Sequence, residues 1–302
     1  ETHTENVNYN ANYSVISPTI TGYTPNQEVV SGTMGTEPVT VNVIYTVNSY
    51  EITTSVNPTA GGSVTGANSY NYGASATLTA TANEGYTFVN WTKNGSEVST
   101  NATYTFTVTE AGEYSANFSL NSHLLTIHYV YSDQTPAAND YTATLDYGAE
   151  YNVASPVITG YTADQLNVSG TMPDEDVTVT VTYGTDVHTL TIHYVYATGG
   201  TAHADEVRQI AYGADYSITS PAITGYTPDV ATVSGTMGTA DVTVDVTYSI
   251  NSYTLTVNYK YSDGTTAATT HTESVNYNAN YSVTSPTITG YTPDQASVSG
   301  TM

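Results

Sequence analysis

The chain has 302 residues, no Cys, and 27 acidic residues against three basic ones (Lys93, Arg208 and Lys260), a formal net charge of −24. That charge repels phosphate and so argues against nucleic acid and anionic lipid as partners. The lack of thiols excludes disulfide staples and thiol chemistry, and no run approaches 18 apolar residues, so no membrane insertion of this segment is expected. With 39% hydrophobic residues and 29 Tyr, the chain is too apolar for disorder. Its Thr, Val, Tyr and Ile suit half-buried strands.

Two short markers organise the chain. Gly22, Gly160, Gly225 and Gly290 each begin Gly-Tyr-Thr, and Gly32, Gly170, Gly235 and Gly300 each begin Gly-Thr-Met ten residues later. The first markers lie 138, 65 and 65 residues apart, so a foreign module of about 73 residues interrupts a 65-residue repeat. In chain order the reading is a partial repeat lacking its first strand (1–48), an inserted module (49–119) holding the one Trp and all three Phe, full repeats at 120–186 and 187–250, and a partial repeat lacking its last strand (251–302). Residues 3–34 and 271–302 match at 27 of 32 positions, an offset of 268. This points to a larger cassette repeated in a longer parent. Glu1 stands in mid-pattern and no signal peptide precedes it, so a missing N-terminus is expected.

Strict alternation marks the strands. In 188–196, Leu190, Ile192, Tyr194 and Tyr196 face one way and Thr189, Thr191, His193 and Val195 the other; in 241–248, Val242, Val244, Val246 and Tyr248 share a face. One buried and one wet face is an antiparallel habit. No segment sustains a helical period, so at most short helical turns are expected. Val39–Tyr45 and Tyr253–Tyr261 read as the closing and opening strands of the two partial repeats. Gly73, Gly148 and Gly213 occupy the turn position that Asn10 and Asn278 hold elsewhere, and a Gly/Asn exchange predicts left-handed backbone there. Pro18, Pro156, Pro221 and Pro286 break the strands before them.

A 65-residue module without staples is marginal by itself, and stacking on neighbours is one remedy. Tyr248 and Tyr253 leave about four residues between strands, a link too short for free bending. The expected fold class is mainly β: a tandem array of small antiparallel modules forming an elongated rod, about 150–190 Å long at roughly 3.3 Å per strand residue.

The pattern Tyr253–Thr265 (YTLTVNYKYSDGT), continued by SVNYNANYSVTSPTITGYTPDQASVSGTM and completed elsewhere by GTMPDEDVTVTVTY, resembles the mucin-binding-protein (MucBP-type) repeat of bacterial surface proteins. Residues 50–118, with NPTAGGSVTG, YGASATLTATANEGYTFVNW and YSANF, resemble the divergent internalin-type B repeat. Both resemblances imply β-grasp-like modules of long adhesins that are extracellular, secreted or wall-attached. They bring no catalytic residue and imply host or matrix glycans, mucin included, as partners, beside neighbouring copies of the same array.

Candidate sites are few. His123/His128 and His188/His193 lie five apart, on opposite strand faces about 16 Å from each other, so they share no ion and read as solvent-facing positions. The run Pro173–Asp176 lacks a dedicated calcium loop and reads as a solvated turn. Tyr23, Tyr161, Tyr226 and Tyr291, after the Gly-Tyr-Thr glycine, are either core anchors or glycan-stacking platforms, with packing the favoured reading. Trp91 reads as the core of its module. Lys260 is replaced by Val130 and Val195 in other copies, which excludes a repeated Lys–Asn crosslink. There is no GxSxG, phosphate loop or HExxH, and the carboxylate at Asp164, Asp229 and Asp294 becomes Asn26 in the first copy. No catalysis, cofactor or metal is therefore expected. The expected role is a segment of a surface-adhesin fibre, a spacer with multivalent adhesion. The alternatives are one glycan site per repeat, or a filament subunit completed by strand exchange at its ends.

Overall fold

The computed structural model describes all 302 residues, Glu1–Met302. They form two compact units. One comprises residues 1–128, 140–153 and 167–179, the other residues 129–139, 154–166 and 180–302. Nearly all regular structure is strand, and the one helical element is a 3₁₀ turn at Thr59–Gly61.

In the second unit, residues 187–250 show the plan of a full repeat. The opening strand Val187–Tyr196 lies between the edge strand Thr201–Ala211 and the closing strand Val242–Ile250, whose far side carries the short strand Tyr226–Pro228. A separate hairpin, Asp215–Thr219 with Thr232–Thr236, completes the module. The alternation read from the sequence is realised: Leu190, Ile192 and Tyr194 meet Val246, Tyr248, Val233 and Met237 in one core. Tyr248 is fully buried, and its hydroxyl donates to the Pro221 carbonyl at 2.6 Å, which pins the Ser-Pro loop over the sheet. Burial raises the pKa of that hydroxyl above the ordinary value, so it is a neutral donor at physiological pH.

Alternation with a wet face reads as antiparallel, and most pairs are. The central pair differs. The opening and closing strands run parallel, in register from Leu190↔Val242 to Tyr196↔Tyr248. A parallel pair needs a long crossover, and the edge strand, the hairpin and their loops supply it.

The first unit holds residues 49–119, which follow the same logic with different residues. A five-stranded sheet runs in the order Ser96–Ser99, Tyr86–Lys93, Gly112–Leu120, Ser49–Asn57, Asn68–Asn71, and a three-stranded sheet comprises Thr103–Thr107, Ser75–Ala82 and Gly62–Thr65. First and last strands are again parallel, Gly112↔Ile52 onward. Trp91 is fully buried among Ile52, Leu78, Val108, Tyr114 and Ala116, as expected of a core residue, and its Nε1 donates to the Ala102 carbonyl at 3.1 Å.

The partial repeats show what the parallel pair contributes. Residues 1–48 keep the hairpin Asn12–Ile16 with Val29–Thr33, and a short pair, Tyr23–Pro25 with Tyr45–Val47. The expected closing strand Val39–Tyr45 does not form over 39–44; only Tyr45–Val47 is strand. Val39 and Ile44 are 48% and 64% exposed, because no opening strand lies beside them within this chain. Residues 251–302 keep the opening strand Ser252–Lys260 with its edge strand Thr266–Asn276, and the hairpin Asn280–Thr284 with Ser297–Thr301.

The turn readings hold. Asn10 and Asn278 have φ of 62° and 59°, beside 77°, 79° and 76° at Gly73, Gly148 and Gly213. The amides of Asn10, Gly148, Gly213 and Asn278 each donate to the carbonyl of the Gly-Thr-Met methionine: Met34, Met172, Met237 and Met302. The marker glycines have a physical role as well. An added Cβ at Gly32, Gly170, Gly235 or Gly300 would lie 2.5–2.7 Å from the hydroxyl of the tyrosine packed across it.

Tyr248→Phe is expected to cost about 1 kcal/mol through the lost hydrogen bond. Tyr248→Ala should cost about 3–5 kcal/mol through the cavity. Hydrogen-exchange protection at Leu190 and Ile192 reads both, and equal losses in the two variants would contradict the packing described.

Candidate functional site

Three of the four Gly-Tyr-Thr tyrosines named above, Tyr161, Tyr226 and Tyr291, have a ring partner. Tyr161 meets Tyr131 with ring centroids 4.7 Å apart, Tyr226 meets Tyr196 at 4.7 Å, and Tyr291 meets Tyr261 at 4.6 Å, the rings tilted by 49–52°. Each partner comes from the end of that copy's opening strand. Tyr161 and Tyr226 are half-buried; Tyr291 and Tyr23 are exposed at 63% and 41%, in the copies that lack a closing or an opening strand. The four residues are therefore equivalent in sequence and unequal in surface.

The glycine before each tyrosine carries more. At Gly22, Gly85, Gly160 and Gly225, φ is 77–80°, and an added Cβ would lie 1.9–2.1 Å from the ring of Tyr72, Tyr147, Tyr212 and Tyr277 respectively. Each of those tyrosines sits in the Tyr-Gly-Ala or Tyr-Asn-Ala turn of the following module. The missing side chain is what lets the ring lie flat on the backbone.

A single residue separates the strands at every junction: Asn48, Asn121, Asp186 and Asn251. The expected link of about four residues is shorter still. Each linker amide donates to the carbonyl of that glycine at 2.8–2.9 Å, and each linker carbonyl accepts from the amide of the clamping tyrosine at 2.8–2.9 Å. Each linker side-chain oxygen accepts from the Gly-Tyr-Thr threonine: Thr24, Thr87, Thr162 and Thr227, at 2.6–2.7 Å. Donor, acceptor and ring thus recur in the same order at four junctions. The inserted module takes part through Gly85-Tyr86-Thr87, a fifth copy of the marker.

The histidines are not simply solvent-facing. His128 and His193 pair with Asp140 and Asp205 at 2.9 and 2.8 Å. His123 and His188 are only 22% and 21% exposed and lie against Asp174 and Asp176, and against Asp241. The acidic run 173–176 is likewise more than a solvated turn. Asp176 accepts from the Leu124 amide at 2.8 Å, as Asp241 does from Thr189 at 2.7 Å, fastening closing to opening strand. Lys93, at the end of a strand, pairs with Glu110 at 2.6 Å and lies over the Tyr114 ring.

The recurring side chains of this chain are thus paired tyrosines and junction clamps, the attributes of a modular repeat protein. Sequence comparison assigns the modules: residues 1–46, 125–184, 189–249 and 254–302 match the MucBP domain, and the chain belongs to that family. Residues 52–122 match the divergent InlB B-repeat domain. These are adhesin and binding repeats rather than enzyme families. Internalin J of Listeria monocytogenes serotype 4b (strain F2365) is 29% identical over 209 residues, 63% of this chain and 23% of that protein, so the chain spans about a quarter of that relative's length. Among solved structures, the Bacillus anthracis TIE protein aligns with 73% of this chain and 55% of its own, at 10% identity and a TM-score of 0.40. The type 2 repeat of the mucus binding protein MUB from Lactobacillus reuteri aligns with 43% of this chain and 100% of its own, at 18% identity and a TM-score of 0.20.

Two glycines separate the clamp from backbone strain. Gly148 and Gly160 share a φ of 79°, but only Gly160 has a ring against it. Gly148→Ala is expected to cost about 1–2 kcal/mol, the left-handed penalty alone. Gly160→Ala adds the displacement of Tyr212 and should melt distinctly lower by calorimetry. Equal melting temperatures would remove the ring from the account.

Proposed function

We propose that this chain is a segment of an extracellular surface adhesin, in which the five modules 1–48, 49–119, 120–186, 187–250 and 251–302 act together as a stalk and as a multivalent contact for mucin-type glycans. The observation that supports the stalk is the recurrence of one clamp at four junctions with one-residue linkers. Such junctions restrict bending far more than a flexible linker does. A compact protein of this length has a radius of gyration of about 19 Å. Small-angle scattering is expected to give more than twice that value, and a result near 19 Å ends the stalk reading.

The glycan reading is supported by membership of the MucBP family and by the marker tyrosines Tyr23, Tyr161, Tyr226 and Tyr291, which are the proposed stacking faces. A charge of −24 disfavours sialylated or sulfated chains, so neutral glycans are the proposed ligands. Weak sites on successive modules reinforce one another through effective concentration. The full chain is expected to be retained on mucin or neutral glycan surfaces, and changing all four tyrosines to Ala should abolish retention while far-ultraviolet dichroism stays unchanged. Retention by the quadruple variant would move the site elsewhere. No retention of the parent chain would leave the stalk role alone.

One observation favours a second reading, a filament completed by strand exchange. Residues 39–44 carry a closing-strand pattern without a partner, while a groove lined by Val257, Tyr259, Ile288, Tyr291 and Val298 lies open beside an opening strand. Concentration-dependent sedimentation that disappears on Val41→Asp supports exchange, and a concentration-independent monomer refutes it.

A further inference from the structure

Three of the four junctions hold together through the clamp described above. The junction between residues 49–119 and 120–186 has an additional side chain. Asp174, in the turn before the closing strand Val177–Thr185, reaches back to the preceding module: its Oδ2 accepts from the Gly85 amide at 3.2 Å. Its Oδ1 accepts from the side-chain amide of the linker Asn121 at 2.8 Å and lies 2.9 Å from Nε2 of His123 on the opening strand. Nδ1 of the same ring lies 3.6 Å from Asp176.

The first and third repeats carry no carboxylate at this position. The position of Asp174 is Thr36 in the first repeat and Thr239 in the third, whereas Asp176 has its counterpart in Asp241. The consequence appears at His188, the counterpart of His123. Its Nδ1 is 3.8 Å from Asp241, and its Nε2 is buried with no hydrogen-bond partner. Asp174 thus distinguishes the repeat at 120–186 from the repeats at 1–48 and 187–250.

We propose that Asp174 is an acid-released lock specific to this junction: its carboxylate ties Gly85 of one module to Asn121 and His123 of the next, and its protonation loosens that junction while the others hold. The surrounding groups agree with this assignment. From the opening hairpin, His123 faces the carboxylate, and Asp146 is engaged by the Ser122 hydroxyl at 2.7 Å. From its own turn, Asp176 is committed to Leu124 and Glu175 is exposed. From the preceding module, Glu84 is exposed beside Gly85, and the Tyr147 ring covers that glycine.

The hydrogen bond from Asn121, then that from His123, holds the Asp174 carboxyl below the ordinary Asp value of 3.8. A lowered folded-state pKa means the contribution is complete above the unfolded value and is lost as pH falls through the folded one.

The test uses the full chain and compares three equivalent amides, those of Asn48, Asn121 and Asn251, which donate to Gly22, Gly85 and Gly225 at the same 2.8 Å. Hydrogen exchange corrected for intrinsic rates is read at pH 7, 4.5 and 2.5. The Asn121 amide is expected to lose about tenfold protection between pH 4.5 and 2.5, with Asn48 and Asn251 unchanged. Asp174→Asn keeps one acceptor oxygen, replaces the other by a donor and removes the titrating group, so it should erase the pH response. Asp174→Thr, which installs the residue of the other repeats, should lower Asn121 protection already at pH 7. A parallel fall at all three amides, no fall at any, or a pH response that persists in Asp174→Asn overturns the proposal.

Discussion

Parallel pairing of a module's first strand with its last is the constraint on which the rest of this structure depends. It makes each module a closed object whose sheet is complete only when both ends of the segment arrive. It also brings the end of one module next to its own beginning, deep in the sheet, where Leu190, Ile192, Val246 and Tyr248 exclude water together. A segment with only one of the two strands cannot build this layer. Residues 39–44 demonstrate it: the alternating Val39, Val41 and Val43 are sound strand material, yet without a partner strand they stay unpaired.

The linkers follow from that closure. A closing strand that finishes in the centre of one sheet leaves the chain at a fixed point and direction, and one residue then suffices to start the next opening strand. That residue is Asn or Asp because its side chain must accept from a threonine while its backbone serves both neighbours. The ring-on-glycine contact completes the seal. It needs no Cβ on one side and a flat aromatic on the other, which is why both halves recur so faithfully.

The two module types fill their cores differently, yet they are joined by the same parts. Trp91, Phe88 and Phe118 join Ile52, Leu78 and Tyr114 in the inserted module, where the repeat at 187–250 has no Trp or Phe and uses Met237 beside Leu, Ile, Val and Tyr. Gly85-Tyr86-Thr87 and Tyr72-Gly73-Ala74 nevertheless give it the same sockets at its two ends as its neighbours have. Interchange of modules therefore requires only that the sockets match, and cores are free to diverge.

The sequence by itself determined the repeat, the strands and the turns. Alternating Leu190-Ile192-Tyr194 and the Gly/Asn exchange at the turn are local signals, and period-two burial and positive φ are local properties. The Trp91 core was legible for the same reason. Tertiary structure decided strand direction, because residues 187–196 and 242–250 alternate identically whether paired parallel or antiparallel. It decided the value of Asp174, whose partners lie 53 and 89 residues away and whose immediate neighbours read as a solvated turn. It also decided the roles of the marker tyrosines, since Tyr161 and Tyr291 stand in the same motif, but only Tyr161 has a closing strand beside it and the ring of Tyr212 against it. Short-range patterns are written in the spacing of residues. Contacts between distant residues depend on which surfaces remain to be covered once each module has closed.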